Sequence, residues 1–148
     1  MVNLTINIPT YSDADSSFPK PVNESYTYWS AIVKHFLVDS NTIEIHCWNE
    51  EKEIINEIIS LGKLEMVKEE NETIFRGPKS RLLTEYLLNN CISKNGGLKW
   101  FTLNLEQMGL PLFHSGHWGT ELVLTNITTE DIAFIKRVTP KATVFLEY

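Results

Sequence analysis

The spacing of apolar residues along this chain switches several times between every second residue, typical of a strand, and every third or fourth, typical of a helix. Strand-like spacing covers seven segments: residues 4–8, 42–48, 64–68, 73–76, 98–105, 121–125 and 142–148. Helical spacing covers four: residues 23–38, 49–62, 80–91 and 128–138. The predicted order is therefore β-α-β-α-β-β-α-β-β-α-β.

This order favours an α+β fold over a parallel one, because two pairs of strands follow each other directly without a helix between them. We expect one domain spanning 1–148, with about four helices and a mixed or mainly antiparallel sheet. The segment 98–105 is apolar on both faces, which predicts a central strand. The polar segments 10–22 and 106–119 are predicted to be long loops.

The boundaries of the predicted helices carry capping signals. Side chains suited to cap a helix N-terminus occur at all four predicted starts: Asn23, Asn49, Ser80 and Thr128. Asp131 stands at capping-box spacing from Thr128, and Gly62 is suited to end the second helix in the left-handed conformation. The charged segment 69–72 is predicted to be the tip of a hairpin.

Acidic charge is concentrated in one part of the chain. The sequence has 19 acidic and 13 basic residues, for a formal net charge of -6. Residues 50–72 hold eight glutamates and three lysines, whereas the remainder has 11 acids and 10 bases. This distribution disfavours direct binding to nucleic acid and favours a basic partner. The alternative is a solvated helix face whose first-turn glutamates match the helix dipole.

A partner-binding surface is predicted on this acidic segment. Its candidate residues are Glu50, Glu53, Glu57, Glu65, Glu69, Glu70 and Glu72. Trp48 and Trp118 lie off the apolar stripes of their segments, and tryptophan is enriched among interface hot spots. They are the predicted aromatic anchors.

Histidines provide an alternative site of a different class. His114 and His117 lie three residues apart in a glycine-containing segment, and His46 and Glu121 are further candidate members. Imidazole and carboxylate groups at such a site bind metals or transfer protons, as in a small metal- or His-dependent hydrolase or nuclease. The spacing is not the helical His-Glu-x-x-His pattern, and solvated histidines on a structured loop explain it equally well. We therefore predict no metal site and no catalytic residue.

The remaining motifs exclude common cofactors and favour a reducing compartment. Neither a G-x-G-x-x-G motif nor a P-loop occurs, so no nucleotide cofactor is expected. Cys47 and Cys91 are far apart in sequence and are expected to be reduced, although the sequence leaves a disulfide between them open. The N-terminus lacks the pattern of a signal peptide, and no apolar run is long enough to span a bilayer. We expect a cytoplasmic protein without a membrane partner.

In size, charge and α+β character the chain resembles small acidic immunity proteins that neutralise bacterial toxins, including those of contact-dependent growth inhibition. The segment 50–72, with Trp48 and Trp118, carries the resemblance. It implies a monomeric or weakly dimeric inhibitor that plugs the basic active site of a toxin, with a nuclease favoured because its cleft must be basic. The competing hypotheses are the histidine-dependent enzyme and a regulatory ligand-binding module in which the two long loops cover a pocket.

Overall fold

Eight of the strands form one sheet in which every neighbouring pair is antiparallel. The computed structural model describes residues 1–11, 20–22 and 25–148. Its strands are β1 (Val2–Asn7), β2 (Thr10–Tyr11), β3 (Lys20–Pro21), β4 (Thr42–Trp48), β5 (Glu65–Lys68), β6 (Glu72–Pro78), β7 (Thr102–Gln107), β8 (Leu110–Gly116), β9 (Glu121–Ile127) and β10 (Val144–Glu147). Its helices are α1 (Thr27–Leu37), α2 (Lys52–Leu61), α3 (Arg81–Asn89) and α4 (Thr129–Val138).

The spatial order of the large sheet is β10-β1-β9-β8-β7-β4-β6-β5, and β2 and β3 form a separate ribbon. The predicted α+β class is therefore confirmed, and the large sheet is wholly antiparallel. The strand predicted at 98–105 is central as expected, although it begins later, at Thr102.

The predicted loop 106–119 is wrong, because the end of β7 and the whole of β8 occupy most of it. The backbone reverses at Met108 and Gly109, whose φ values of 51° and 80° match the twist that a tight hairpin requires. The strand was hidden because β8 carries a proline and a glycine, and its alternation is weak. Of the other predicted loop, residues 12–19 lie outside the described residues.

Three of the predicted helix boundaries are confirmed. The Ser80 side chain accepts a hydrogen bond from the Leu83 amide, and Thr128 and Asp131 form a reciprocal capping box. Gly62 ends α2 with φ 68°. Asn49 is not a cap, because α2 begins at Lys52 after Glu51. The predicted cap Asn23 lies outside the described residues.

One face of the sheet is covered by the helices. Alternate strand residues, such as Ile45, Leu103 and Leu124, are fully buried and belong to the same core as the inward side chains of all four helices. Trp29 of α1 lies at its centre, where the indole Nε1 donates to the Ser115 hydroxyl at 2.9 Å. Cys47 and Cys91 are both buried and free, as predicted.

The opposite face of the sheet is not covered by any helix of the described residues. We call it the open face; it consists of the strand side chains that point away from the helices. Their intermediate exposure contrasts with full burial of the alternate positions, as in β4, where Ile43, Ile45 and Cys47 are buried and their neighbours are not. The polar residues of the central strands are thereby brought onto one surface.

Candidate protein-binding surface

One row of side chains crosses the open face from edge to edge. The strand register aligns it through successive cross-strand partners: Leu146, Thr5, Val123, His114, Asn104, Glu44, Arg76 and Glu65. The row is apolar towards β10 and charged towards β5. One residue from each of the eight strands therefore contributes to a surface that changes from apolar to charged across its width.

The open face carries most of the net charge of the chain. Among the open-face residues that lie within the described strands are five carboxylates and a single guanidinium, that of Arg76, a formal net charge of -4 with neutral histidines. The carboxylates are Glu44, Glu65, Glu72, Glu106 and Glu121. Only Glu65 and Glu72 belong to the acidic segment predicted from the sequence. The other three carboxylates, those of Glu44, Glu106 and Glu121, come from outside that segment and reach the open face through the pairing of the strands.

A hydrogen-bonded network holds the middle of the open face. Glu44 accepts hydrogen bonds from Arg76 at 3.0 Å, Asn104 at 3.2 Å and His46 at 2.7 Å. Arg76 also binds the Glu106 carboxylate. Partial burial alone would raise the pKa of Glu44, but the hydrogen bonds from His46, Asn104 and Arg76 outweigh it and lower that pKa. The carboxylate is thus ionised and fixed in place.

The candidate histidines lie on or beside the open face, on different elements and not in one loop. His114 lies on β8, where its Nδ1 donates to Asn104 Oδ1 at 2.6 Å. Burial lowers the pKa of His114, and the nearby Glu121 carboxylate, which opposes this shift, does not outweigh it. His46 lies between Glu44 and, at 3.6 Å, Glu72.

His117 is on the turn after β8, with Nδ1 3.5 Å from Glu121. Within residues 1–11, 20–22 and 25–148, no group of three His, Cys, Asp or Glu side chains is placed to hold a metal ion. The shared loop that the hydrolase hypothesis assigned to His114 and His117 does not exist, because His114 belongs to a strand.

The hairpin β5–β6, which we call the acidic hairpin (residues 65–78), is held by Asn49. The Asn49 amide donates to the carbonyls of Glu69 and Glu70 at 3.2 and 3.0 Å, and its oxygen accepts from the Thr73 hydroxyl at 2.7 Å. The backbone N–H of Asn49 also donates to Asn71. The turn is therefore fixed against the end of β4 by contacts within the chain.

The carboxylates of this hairpin differ in how far they are neutralised. Glu65, Glu69 and Glu70 are exposed, and none of them forms an ion pair within the described part of the chain. Glu72 is half-buried and lies near His46. The exposed three are thus free to pair with cations from another molecule.

The helical part of the predicted acidic segment lies elsewhere, beside a groove of about 560 Å³ between α2 and residues 92–99. Four glutamates and four lysines line the groove: Glu50, Glu51, Glu53, Glu57, Lys20, Lys52, Lys94 and Lys99. Glu53 pairs with Lys94 at 2.8 Å, and Glu57 pairs with the buried Lys99 at 2.7 Å. The fold therefore divides segment 50–72 into a balanced groove and an acidic hairpin.

The two predicted aromatic anchors pack on a common ring. Phe101 makes edge contacts with Trp48 at 5.3 Å and Trp118 at 4.8 Å between ring centroids. Trp118 Nε1 donates to Glu51 at 3.2 Å, and burial raises the pKa of that carboxyl. Both tryptophans are half-buried, and together they connect the open face at the end of β4 with the groove.

No protein-family model, curated protein or solved structure matches this chain. None of the helices in the described ranges is both long and apolar enough to cross a membrane. The surface is therefore interpreted from its geometry. Sequence reasoning missed Asn49 as a hairpin clamp and Glu44, Arg76 and Glu106 as surface residues, although the alternation at 42–48 contained a signal for Glu44.

Proposed function

We propose that this protein is an inhibitor of the immunity class, which neutralises a basic toxin domain by binding it through the open face and the acidic hairpin. The observation that carries the proposal is the net charge of -4 on an uncovered sheet face, beside a hairpin whose exposed Glu65, Glu69 and Glu70 have no ion pairs within the described residues. Complementary charge steers such partners together and excludes others.

The size of the open face suits this role. Eight strands about 4.8 Å apart, each of roughly six residues rising about 3.3 Å, make a surface on the order of 35 by 20 Å. That area of roughly 700 Å² is close to the roughly 800 Å² that each partner buries in a standard protein interface. One toxin domain could therefore be held without a second copy of the inhibitor.

The rigidity of the surface also supports binding. Asn49 fixes the hairpin turn, and Arg76 and Asn104 fix the Glu44 carboxylate. Ordering an interface on association costs free energy, roughly 0.5–1.5 kcal/mol for each flexible side chain, and groups that are already held avoid part of that cost.

A nuclease is the toxin class that best fits an acidic, preformed surface. Its substrate cleft carries lysines and arginines that bind phosphates. Carboxylates spread over the open face offer those cations an alternative partner and occlude the cleft. The inhibitor itself would not bind nucleic acid, because its surface has the same sign of charge.

The proposal predicts that a gene beside the one for this chain encodes a toxin domain, and the test is protection against that domain. We expect co-expression to restore growth and the purified proteins to form a complex. The variant Glu65→Lys/Glu69→Lys/Glu70→Lys should weaken the complex about 100-fold and abolish protection. Its matched control is Asp39→Lys/Glu85→Lys/Glu130→Lys, which makes the same change in net charge away from the sheet. Equal loss in both variants, or no protection by the wild type, would contradict the proposal.

A second function, binding of a small charged ligand, is favoured by the groove beside α2. Its volume and the ion pair that the buried Lys99 forms with the partly exposed Glu57 are features of a ligand site. Amide chemical shifts of residues 92–99, recorded against a panel of charged metabolites at millimolar concentration, test it. The absence of any shift there removes this candidate.

A further inference from the structure

Among the described residues, nothing covers the edge that strand β5 forms in the large sheet. It is the last strand in the spatial order, and all four of its residues are exposed, including Met66 at 52% and Val67 at 53%. An edge of this kind offers backbone donors and acceptors to an added strand.

The hydrogen-bond phase of the hairpin shows which backbone groups are free. The Glu69 amide donates to the Glu72 carbonyl at 2.8 Å, so Glu69 bonds inward to β6. In an antiparallel ladder the inward-bonding residues alternate, so Val67 and Glu65 also bond to β6. The N–H and C=O groups of Met66 and Lys68 therefore point outward, away from the sheet.

The side chains along β5 show what the added strand must carry. Glu65, Val67 and Glu69 project on the open face, because the register pairs Glu65 with Arg76 and Val67 with Ile74. A strand lying beside β5 would place its own alternate side chains directly opposite these three. Lysine or arginine opposite the glutamates stabilises such a pair, and a carboxylate there is repelled.

This charge pattern also distinguishes the two edges of the sheet. A second copy of the chain pairing antiparallel through β5 would bring two acidic edges together. The other edge, β10, has apolar side chains on the open face, with Val144, Leu146 and Tyr148 about 60% exposed. Self-association is thus disfavoured at β5, and the complementary occupant is a basic strand.

We propose that the toxin partner adds an extended segment to β5 as a ninth strand, with its lysines or arginines on the open-face side. This inference rests on the proposed function and specifies the binding mode. The segment would bond to the backbones of Met66 and Lys68, while its basic side chains pair with Glu65 and Glu69. The rest of the toxin would lie over the open face.

Proline substitution tests the strand addition. Met66→Pro removes an outward N–H without changing the charge, and edge strands tolerate proline where the N–H faces solvent. We expect it to weaken the complex with the toxin domain at least tenfold. Glu147→Pro, in the corresponding outward position of β10, is the matched control and should change affinity by less than twofold. Equal effects of the two prolines would overturn the inference.

Amide hydrogen exchange of the wild-type chain gives an independent readout that does not depend on the folding of a variant. We expect the Met66 and Lys68 amides to exchange rapidly in the free chain and at least tenfold more slowly in the complex. Protection of open-face amides without these two would overturn strand addition and leave the proposed function standing. Protection of Met66 in the chain alone at high concentration would show a second copy at the edge instead. Failure to form any complex would remove both proposals.

Discussion

A single asparagine joins the end of β4 to the acidic hairpin. Asn49 satisfies two carbonyls of the turn and one hydroxyl, and the Thr73 it binds is buried. We expect Asn49→Ala to lower the free energy of unfolding by about 1–2 kcal/mol, because the buried Thr73 hydroxyl loses its acceptor and two carbonyls of the turn lose their donor. It should also weaken the proposed toxin binding by freeing the turn. Urea unfolding measures the first effect, with Asn56→Ala on the exposed side of α2 as the control. Equal stabilities of the two variants would contradict this role.

Gly119 is a second residue on which the local structure beside the site depends. Its φ is 83°, and an added Cβ would lie 2.8 Å from Leu98 and 2.9 Å from Trp29. We expect Gly119→Ala to destabilise the protein by about 2–4 kcal/mol, from left-handed strain and from overpacking. Gly97→Ala is the control, since its Cβ would meet nothing closer than 3.4 Å and its φ is not positive. Equal melting temperatures of the two variants would contradict the packing argument.

At the scale of elements, the start of α4 makes stability depend on pH. Partial burial on its own would raise the pKa of Asp131, but hydrogen bonds from Thr128 and His35 outweigh it and hold the pKa below its ordinary value of 3.8. A lowered pKa in the folded state stabilises the fold above pH 3.8, and that contribution is lost as the pH falls through the folded value.

Asp131→Asn should therefore lower the free energy of unfolding by about 1 kcal/mol at neutral pH. The difference from the wild type should shrink between about pH 5 and about pH 2, as the wild-type carboxylate is protonated. Denaturant unfolding across that range measures it, with the exposed Asp39→Asn as a control. If the difference in unfolding free energy between the two proteins grew as the pH fell, the lowered pKa of Asp131 would be contradicted.

The elements themselves were largely predictable because their signals are local. Ser80, Gly62 and the Thr128–Asp131 pair each act within four residues, and their residue types and positions predict all three. The sequence does not predict β8, because one face of that strand is open and its polar residues resemble those of a loop. The sequence predicts a cap at Asn49, because a capping side chain and a hairpin clamp look the same in sequence.

The site was less predictable, since its members meet through the register. Glu44 and Arg76 are 32 residues apart, and only the pairing of β4 with β6 places them opposite each other. The acidic segment was found from composition, but whether its charges are free depended on partners such as Lys94 and Lys99. Composition locates charge along a chain, whereas folding determines which charge reaches a surface.

For the molecule as a whole, the asymmetric charge predicts that the proposed association with a basic toxin is sensitive to salt. Exposed carboxylates attract a partner over about one Debye length, which is about 10 Å at 0.1 M salt and shorter above it. We expect the association rate constant to fall at least tenfold between about 20 mM and about 500 mM salt, while the dissociation rate changes little. Stopped-flow measurements resolve the two rates.

The two triple variants separate local from global charge in that measurement. Both have a formal net charge of zero, so a protein that acts through net charge alone would lose its salt dependence in both. If the acidic hairpin steers the partner, only the Glu65, Glu69 and Glu70 variant should lose it, because the open face of the control is intact. The backbone hydrogen bonds of the proposed strand addition would persist at high salt. The dissociation rate constant of the wild-type complex should therefore stay low at about 500 mM salt, even though the association rate constant has fallen. A dissociation rate that rises with salt as steeply as association falls would mean that charge alone holds the complex.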